Sequence, residues 1–416
     1  MAEQKLKKLP LGYSDFKRII DEDCIYVDKT ELIHKMIHGG GYYFISRPRR
    51  FGKSLLVSTL AELLAGNKKL FKNLWITSSD YAWPQHPVIR FDFSSIGNRT
   101  VEDLITNISV RLDTIARDYK INIARYPSID SKFQELITQL FKVNKVVILI
   151  DEYDKPILDH IDNTNEAKAQ REVLKSLYSV IKGSDQYLRF VLLTGVSKFS
   201  KTSIFSGINN LEDITLDREY ATLLGYTDQE LINTLDKHLR QQIPILGKTV
   251  LDVVTNLTNQ YGGYRFAQNA EYVLNPNSVF LSLNDHSLEN YWFETGTPTC
   301  LIKSLKQNTY DLKNLSRQLI LSEKSVESSD IENLSMISLL LQTGYLTIQK
   351  YDSQTQNYTL TIPNWEVGNG FLTLASYVSI RPPQNLKRML WTQQISLENK
   401  TFNHKTKKIT LESQKI

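Results

Sequence analysis

Short apolar runs alternate with longer segments of helical periodicity over the first half of the chain. The runs are rich in β-branched and aromatic residues and predict strands at 42–46, 87–94, 145–150, 188–194 and 213–216, the last being the weakest. The helical patterns lie between them, at 53–65, 101–119, 132–141 and 165–181. Because strands that are apolar on both faces are buried under helices, the pattern predicts an α/β fold with a mainly parallel sheet covered on both sides.

The pattern changes after residue 225. Residues 231–260 have helical periodicity without a strong strand signal, which predicts a small helical lid. Further on, the end of a helix is followed by two alternating runs, 345–350 and 357–362, joined by a polar turn. A helix followed by a hairpin predicts a winged-helix-like region. After residue 370 the periodicity is weak and the residues are polar and basic, so we expect a poorly ordered tail.

The composition is typical of a globular protein with more than one domain. With 416 residues, 41% of them hydrophobic, the chain can bury large cores, and its length suggests two or three domains. Its two cysteines, Cys24 and Cys300, are too few for a disulfide framework and do not resemble a metal site, so we expect a reducing compartment. No apolar run is long enough to span a bilayer, and the first residues lack the apolar core of a secretory signal. We therefore expect a cytoplasmic protein without membrane contact.

The positive charge is concentrated at the C-terminal end. The net charge is +5, but residues 381–416 carry eight Lys or Arg and two Glu, which leaves 42 basic and 43 acidic residues elsewhere. The body of the chain is therefore close to neutral. The basic balance is a property of the tail and does not indicate a nucleic-acid-binding body.

The segment "ISRPRRFGKSLL", residues 45–56, contains the strongest candidate chemistry. Gly52 lacks the Cβ that would stand where a β-phosphate lies, Lys53 supplies a cation for the β- and γ-phosphates, and Ser54 offers a hydroxyl to Mg²⁺. A phosphate-binding loop normally has glycine five positions before Gly52, where this chain has Arg47. Pro48 fixes its own φ and favours an extended Arg47, so the chain can leave the strand without a glycine.

A basic loop before an ordinary helix would also explain Gly-Lys-Ser, and a second motif decides between the two. The segment "KVVILIDEYDKPI" is an apolar strand that ends in two adjacent acids. Asp151 occupies the position from which a P-loop fold holds Mg²⁺, and Glu152 can polarise the attacking water as a general base. Asp154, before Lys155 and Pro156, is interpreted only as a helix cap. The two motifs, in this order and with one strand between them, predict a nucleotide site.

A third element follows the strand at 188–194. Thr194, Ser197 and Lys198 are candidates for a polar side chain that senses the γ-phosphate. Ordinary turn chemistry at the end of a strand is the alternative for each of them.

Many long segments of the chain are similar, in order, to those of one known family. They include "LPLGYSDFKRIIDEDCIYVDKTELI", "SRPRRFGKSLL", "PVIRFDFSS", "VVILIDEYDKPI", "LLTGVSKFSKTSIFSGINNLEDITL", "YGGYRF" and "YWFETGTPTCLIK". These segments resemble the AAA-ATPase-like family, a set of P-loop proteins of bacteria and their relatives, and the resemblance extends from residue 9 to about residue 367. In that family Arg-Pro-Arg-Arg-Phe-Gly-Lys-Ser is the usual loop, which accounts for the missing glycine.

The resemblance implies a site for ATP and Mg²⁺. The phosphate-binding residues are then Arg49, Arg50, Phe51, Gly52, Lys53, Ser54 and Leu55. Lys53 and Glu152 take the catalytic roles, and Ser54 and Asp151 are the Mg²⁺ ligands. An arginine finger, supplied in cis or in trans, has Arg49, Arg50 and Arg218 as candidates.

The chain departs from the family at its C-terminal end. Members commonly continue into a nuclease domain of the PD-(D/E)XK type, but fewer than fifty residues follow Val367 here. Because a compact domain of that kind needs roughly a hundred residues, we expect this chain to lack the nuclease. Glu412 and Lys415 in "LESQKI" do not have the Glu-x-Lys spacing.

The fold expected overall is an α/β P-loop NTPase with a strand inserted between the Walker A and Walker B motifs. The predicted domains are the P-loop ATPase at 1–225, the helical lid at 226–284, the winged-helix-like region at 285–370 and the basic tail at 371–416. The leading interpretation is a Mg²⁺-dependent ATPase that acts as a nucleotide-driven switch. An ATP-binding scaffold with little turnover, a nucleic-acid-binding switch that uses the wing and tail, and a phosphotransferase are the alternatives. A nucleic-acid or protein partner and a homo-oligomer are left open.

Overall fold

The computed structural model describes residues 6–198, 208, 210–292, 301, 319–327 and 335–377. The described residues up to 213 contain five strands, β1 to β5: Tyr42–Ser46, Val88–Asp92, Val146–Asp151, Leu188–Gly195 and Glu212–Asp213. Seven helices, α1 to α7, accompany them: Phe16–Asp21, Thr30–Gly39, Lys53–Leu64, Val101–Asp118, Ile129–Phe141, Lys155–Leu158 and Thr164–Gly183. Short 3-10 turns lie at Lys68–Phe71, Trp75–Ser78 and Asp185–Tyr187. All five predicted strands and all four predicted helices are confirmed, with ends that differ by a few residues.

The five strands form one sheet in the order β2–β3–β4–β1–β5, and all neighbours are parallel. Strand β4 lies between β1 and β3, with Thr194 opposite Ile45 of β1 and Leu193 opposite Ile150 of β3. The carboxyl ends of these three strands therefore lie side by side, which is the edge where open α/β sheets bind ligands. The α/β P-loop fold, with a strand between the two motif-bearing strands, is confirmed.

The alternation along β3 explains why the sheet is covered on both faces. Every residue of β3 is buried. Val147 and Leu149 belong to the hydrophobic core shared with α2 and α3, whereas Ile148 and Ile150 belong to the core shared with α4, α5 and α7. Because successive side chains of a strand point to opposite faces, the apolar run supplies both cores.

The predicted lid consists of helices α8 to α11, which are Asp228–Gln241, Ile243–Leu246, Val250–Tyr261 and Pro276–Asp285. Capping boxes begin α8 at Thr227 and α10 at Thr249. The short α9, which contains a proline in its first turn and ends at Gly247, separates the two longer helices. Together these helices have their own hydrophobic core.

The C-terminal region contains a helix followed by a small antiparallel sheet. Helices α12 to α14 are Glu323–Glu327, Met336–Thr343 and Trp365–Tyr377, and strands β6 to β8 are Leu319–Ser322, Thr347–Asp352 and Asn357–Thr361. The sheet order is β6–β8–β7, so the predicted hairpin has an additional strand paired to β8. The short β6 was not predicted. Helix α14 runs across the predicted boundary at residue 370.

Residues 378–416 lie outside the described residues. They make up most of the segment 371–416 that was predicted to be a basic tail. Among the described residues, no helix combines the length and the apolar character needed to cross a membrane.

Candidate functional site

The loop between β1 and α3 has the tight backbone that the phosphate-binding motif requires. Gly52, the residue before α3, has a φ of 95°, and Arg50 has a φ of 69°. A Cβ on Gly52 would meet only Leu224, at 3.8 Å, so the left-handed backbone rather than crowding favours glycine here. The turn leads directly into a 12-residue helix whose first N–H groups have no partner within the helix.

Arg47, the residue in place of the usual glycine, anchors the loop from within. Its side chain is buried, and its guanidinium donates to the carbonyl oxygens of Ser46 at 2.9 Å and Thr215 at 2.6 Å. The guanidinium also lies 4.1 Å from the centre of the Phe266 ring. Burial lowers the pKa of Arg47 to about 9, so it remains protonated at neutral pH. The sequence analysis treated Arg47 only as the missing glycine and did not predict this anchoring role.

Phe51 fixes the other end of the loop. Its side chain is buried, and its ring packs edge-to-face against Tyr264 at 4.8 Å and Phe266 at 5.3 Å. Both partners belong to the "YGGYRF" segment that follows α10. Arg47 and Phe51 therefore hold the loop from both sides against the same segment, with Phe266 as the shared contact.

The outer face of the loop contacts the C-terminal region. The indole Nε1 of Trp292 donates to the carbonyl oxygen of Arg49 at 3.3 Å. Gly344, the residue after α13, has a φ of 89°, and a Cβ at that position would stand 2.8 Å from Pro48. The close approach of Gly344 to Pro48 therefore requires a residue without a side chain.

Lys53 lies inside the loop. Its ammonium donates to the carbonyl oxygens of Arg47 at 2.8 Å and Pro48 at 2.9 Å, and only 5% of the residue is exposed. Burial lowers the pKa of Lys53, while the nearby carboxylates of Glu152 and Asp151 act in the opposite direction. The cation is therefore held beside the acidic end of β3.

The acidic pair follows β3 as predicted. Asp151 accepts a hydrogen bond from the hydroxyl of Thr194 at 2.5 Å and another from the backbone N–H of Glu152 at 3.1 Å. Glu152 has a φ of 52°, a left-handed conformation that is uncommon for a residue with a side chain. Burial raises the pKa of Glu152, although the charge of Lys53 opposes that shift. The two motifs of the sequence thus meet at one edge of the sheet.

A cavity of about 460 Å³ lies at this edge. Its lining includes all seven residues predicted to bind phosphate, Arg49 to Leu55, together with Glu152. It also includes residues from other parts of the chain: Pro10, Gly12, Tyr13, Ser14, Tyr26, Val27, Lys29, Ile33, Leu56, Lys155, Leu223, Leu224, Gly225, Tyr226, Pro276, Asn277 and Phe280. Asp151 and the three predicted sensor residues are not among the lining residues.

Comparisons with known proteins agree with the motifs. The AAA-ATPase-like family, which is described as predicted AAA-ATPase, matches residues 10–205. An uncharacterized protein from the vnfD 5′ region of Azotobacter chroococcum mcd 1 is 39% identical over 368 residues, which cover 87% of this chain and 68% of that protein. The chain belongs to the AAA-ATPase-like family.

A comparison with solved structures matches the ORC2 protein of Aeropyrum pernix, in ADPNP–ADP complexes. The superposition covers 87% of this chain and 97% of that chain, with 10% identity and a TM-score of 0.33. A likeness at that score carries no further conclusion for this member of the AAA-ATPase-like family.

The interpretation of Asp154 in this AAA-ATPase-like chain as only a helix cap was wrong. Asp154 precedes α6, but its side chain makes no capping hydrogen bond there. It instead accepts from the backbone N–H groups of Val196 at 3.0 Å and Ser197 at 2.6 Å, and from the hydroxyl of Ser197 at 2.6 Å. Burial raises the pKa of Asp154, and the hydrogen bonds from Ser197 oppose that shift. Asp154 therefore positions the chain after β4.

The three sensor candidates all have side-chain partners within the protein. Thr194 donates to Asp151, and Ser197 donates to Asp154. Lys198 forms a buried ion pair with Asp213 at 2.6 Å. Of the three, Thr194 is hydrogen-bonded directly to a predicted Mg²⁺ ligand. A sensor role for any of them stays a prediction.

The cavity-lining residues outside the two motifs were not predicted. Among them, Tyr13, Tyr26 and Val27 come from the N-terminal segment before α2, and Phe280 comes from the lid helix α11. The only signal for the N-terminal part was the long motif that begins "LPLGYSDF", which the sequence analysis used for the resemblance and not for a site.

Proposed function

We propose that this chain binds ATP together with Mg²⁺ in the cavity, hydrolyses it, and uses the nucleotide state as a switch. One observation carries the proposal: a buried lysine at the start of α3, next to a tight loop, lines the same cavity as Glu152 at the end of β3. The membership in the AAA-ATPase-like family supports nucleotide binding.

The phosphate end of the cavity has the groups that an anion needs. The backbone N–H groups at the start of α3 point toward the site with the positive end of the helix dipole. Lys53 now donates to two carbonyl oxygens of its own loop, at 2.8 and 2.9 Å. In the proposed complex, phosphate oxygens would replace these carbonyl oxygens as the acceptors of the Lys53 ammonium.

The residues present also fit Mg²⁺. The ion prefers hard oxygen ligands: Ser54 lines the cavity and would supply a hydroxyl, while the buried Asp151, which does not line it, would hold the ion with its carboxylate through a water molecule. Thr194 and the N–H of Glu152 hold the Asp151 carboxylate in place at 2.5 and 3.1 Å. Ser54 and Asp151 would hold the ion, which would supply positive charge to offset the negative charge that develops on the phosphates.

Glu152 is the proposed general base. It lines the cavity, and its left-handed backbone places it at the sharp turn directly after β3. Burial raises its pKa toward neutral pH, which makes the carboxylate a better proton acceptor than an exposed glutamate. In the proposed step a water oxygen bonds to the γ-phosphorus, the bond to the β-γ bridging oxygen breaks, and Glu152 takes the water proton. The products are ADP and inorganic phosphate.

The apolar part of the cavity lining suits a purine base. Tyr13, Tyr26, Val27 and Phe280 contribute aromatic and aliphatic side chains to the lining. Apolar and aromatic surfaces of this kind stack against a base.

The same cavity supports the switch. Residues of the N-terminal segment, the phosphate loop and the lid helix α11 all line it, so a bound nucleotide contacts all three. The loop in turn contacts Trp292 and Gly344 of the C-terminal region. A ligand that binds one arrangement of these parts more tightly shifts the population toward that arrangement.

An ATP-binding scaffold with little turnover is the second candidate. The observation that favours it is that Thr194, Ser197 and Lys198 already have partners within the protein. If these contacts persist in the nucleotide complex, none of these three side chains contacts the γ-phosphate.

Phosphate release at saturating Mg-ATP separates the two functions. We expect measurable hydrolysis in the wild type and a loss of about two to four orders of magnitude in Glu152→Gln, the usual contribution of a positioned base, with ATP still bound. Asp151→Asn should weaken the dependence on Mg²⁺ along with turnover. Glu172→Gln, an exposed glutamate on α7, is the matched control and should behave like the wild type. If the wild type hydrolyses ATP and Glu152→Gln hydrolyses it equally well, the assignment of Glu152 as the base is contradicted. If the wild type releases phosphate only at the background rate, the scaffold function is favoured.

A further inference from the structure

A compact set of metal-type ligands lies outside the nucleotide cavity. His34 and His38 are four residues apart on α2, and Asp80 follows the 3-10 turn Trp75–Ser78 that packs against this helix. One ligand atom from each of the three side chains lies within 4.8 Å of the other two. Because positions i and i+4 share one face of a helix, both imidazoles point to the same side.

The hydrogen bonds of the two histidines determine which nitrogens are available. Nδ1 of His38 lies 2.9 Å from the carbonyl oxygen of His34. A carbonyl oxygen only accepts, so Nδ1 carries the proton and Nε2 of His38 has a lone pair. Nε2 of His34 lies 2.9 Å from a carboxylate oxygen of Asp80, so in the metal-free protein it donates its proton to that oxygen. An ion bound at Nε2 would replace this hydrogen bond, with the proton moving to Nδ1 of His34. Backbone contacts of this kind orient metal-binding histidines in known sites.

Aromatic side chains close one side of the set. The rings of His34 and His38 are 4.0 Å apart, the Trp75 ring is 5.4 Å from His34, and the Tyr81 ring is 6.4 Å from each histidine. The side chain of His34 is 15% exposed, whereas that of Asp80 is 84% exposed. The histidine rings are therefore held against a wall, and the carboxylate can move to meet an ion that enters from solvent.

We propose that His34, His38 and Asp80 bind a divalent transition-metal ion of the Zn²⁺ type, with water in the fourth position. Two imidazoles and one carboxylate form a donor set that suits Zn²⁺. Bonds of about 2.1 Å in a tetrahedral site require the ligand atoms to approach to roughly 3.4 Å. The His34–Asp80 pair is already within that separation, and the side chain of Asp80, which is 84% exposed, can rotate to close the remaining gap to His38.

This site is separate from the nucleotide cavity, because none of its three ligands lines that cavity. A bound ion would join α2 to the segment that ends at Asp80. A negative result for metal binding would therefore leave the proposed ATPase activity standing, and a negative result for ATPase activity would leave the proposed metal site standing.

The experiment uses the full chain, stripped of metal with EDTA and free of nucleotide. Zn²⁺ is titrated by calorimetry, and Co²⁺ is titrated by visible absorption, which reports four-coordinate nitrogen and oxygen ligation. We expect one saturable site in the wild type, at least ten-fold weaker binding in His38→Ala and Asp80→Asn, and loss of the Co²⁺ spectrum in both. His86→Gln removes an imidazole elsewhere on the surface and should bind like the wild type.

Two outcomes overturn the proposal. A wild type without a saturable site shows that the three side chains form only a surface hydrogen-bond cluster, and variants that bind like the wild type place the metal elsewhere. Circular dichroism in EDTA tests whether each variant folds. Asp80→Asn changes a largely exposed side chain by one atom, so it remains decisive if His38→Ala does not fold.

Discussion

Glu366 provides a sharp test of how the C-terminal region is joined to the lid. The residue lies on α14, is fully buried, and accepts hydrogen bonds from the backbone N–H of Trp292 at 2.6 Å and the hydroxyl of Ser278 at 3.1 Å. Burial raises the pKa of its carboxyl from 4.5 to about 8, even though these donors favour the charged form. Since Trp292 also donates to Arg49 of the phosphate loop, Glu366 joins the lid helix α11 to the residue that contacts the loop.

The sign of the pH effect follows from the raised pKa. Below pH 4.5 the carboxyl is protonated in both the folded and the unfolded chain, so it adds no pH dependence. As the pH rises further, the unfolded chain releases the proton that the folded chain retains, and the free energy of unfolding falls by up to about 1.4 kcal/mol per unit. The loss reaches roughly 3 kcal/mol by pH 7 and levels off above about pH 8.

Glu366→Gln should remove this loss. The glutamine oxygen still accepts from Trp292, and its amide group can donate to Ser278, so the contacts are kept without a charge. Denaturant unfolding of both proteins between pH 5 and pH 9 should show that the free energy of unfolding of the variant rises relative to that of the wild type as the pH increases. A difference that does not change with pH, or a variant clearly less stable at pH 7, would refute the reasoning, because it would mean that Glu366 is charged in the folded protein.

Two further variants test the anchoring of the site. Gly344→Ala places a Cβ 2.8 Å from Pro48 on a backbone with positive φ, so we expect lower ATP affinity by calorimetry, and unchanged affinity would show that the loop tolerates the shift. Asp154→Asn replaces an acceptor of bonds from Val196 and Ser197 with a group that accepts less, so we expect a stability loss of about 1–3 kcal/mol by denaturant unfolding. A variant as stable as the wild type would show that Asp154 does not hold the segment after β4.

The central sheet could be predicted because its pattern is local. The run at β3 is apolar at every position, which is typical of a strand covered on both faces, and the helices between the strands have clear periodicity. The residues of the candidate site could be picked out for the same reason, since Gly52 and Lys53 lie in one short motif between β1 and α3 and Glu152 directly follows β3. Strand β6 was missed because four residues with alternating burial carry too weak a signal.

The anchoring of the loop could not be predicted, because it depends on contacts between residues far apart in the chain. Trp292 and Arg49 are separated by 243 positions, and neither residue type indicates the other. The burial of Arg47 could not be predicted for the same reason. An arginine in a basic loop is normally expected to be exposed. Here it is buried because the fold brings the carbonyl oxygen of Thr215 and the ring of Phe266 to its guanidinium.

Calorimetric titration of Mg-ATP into the wild type and Lys53→Ala tests the central claim most directly. Lys53 is the cation placed between the phosphate loop and the acidic end of β3, so its removal should abolish measurable binding while the far-UV circular dichroism spectrum stays that of the wild type. Lys72→Ala, which removes an exposed lysine outside the cavity, should bind Mg-ATP with wild-type affinity. Equal affinity of Lys53→Ala and the wild type would contradict the assignment of this cavity as the ATP site.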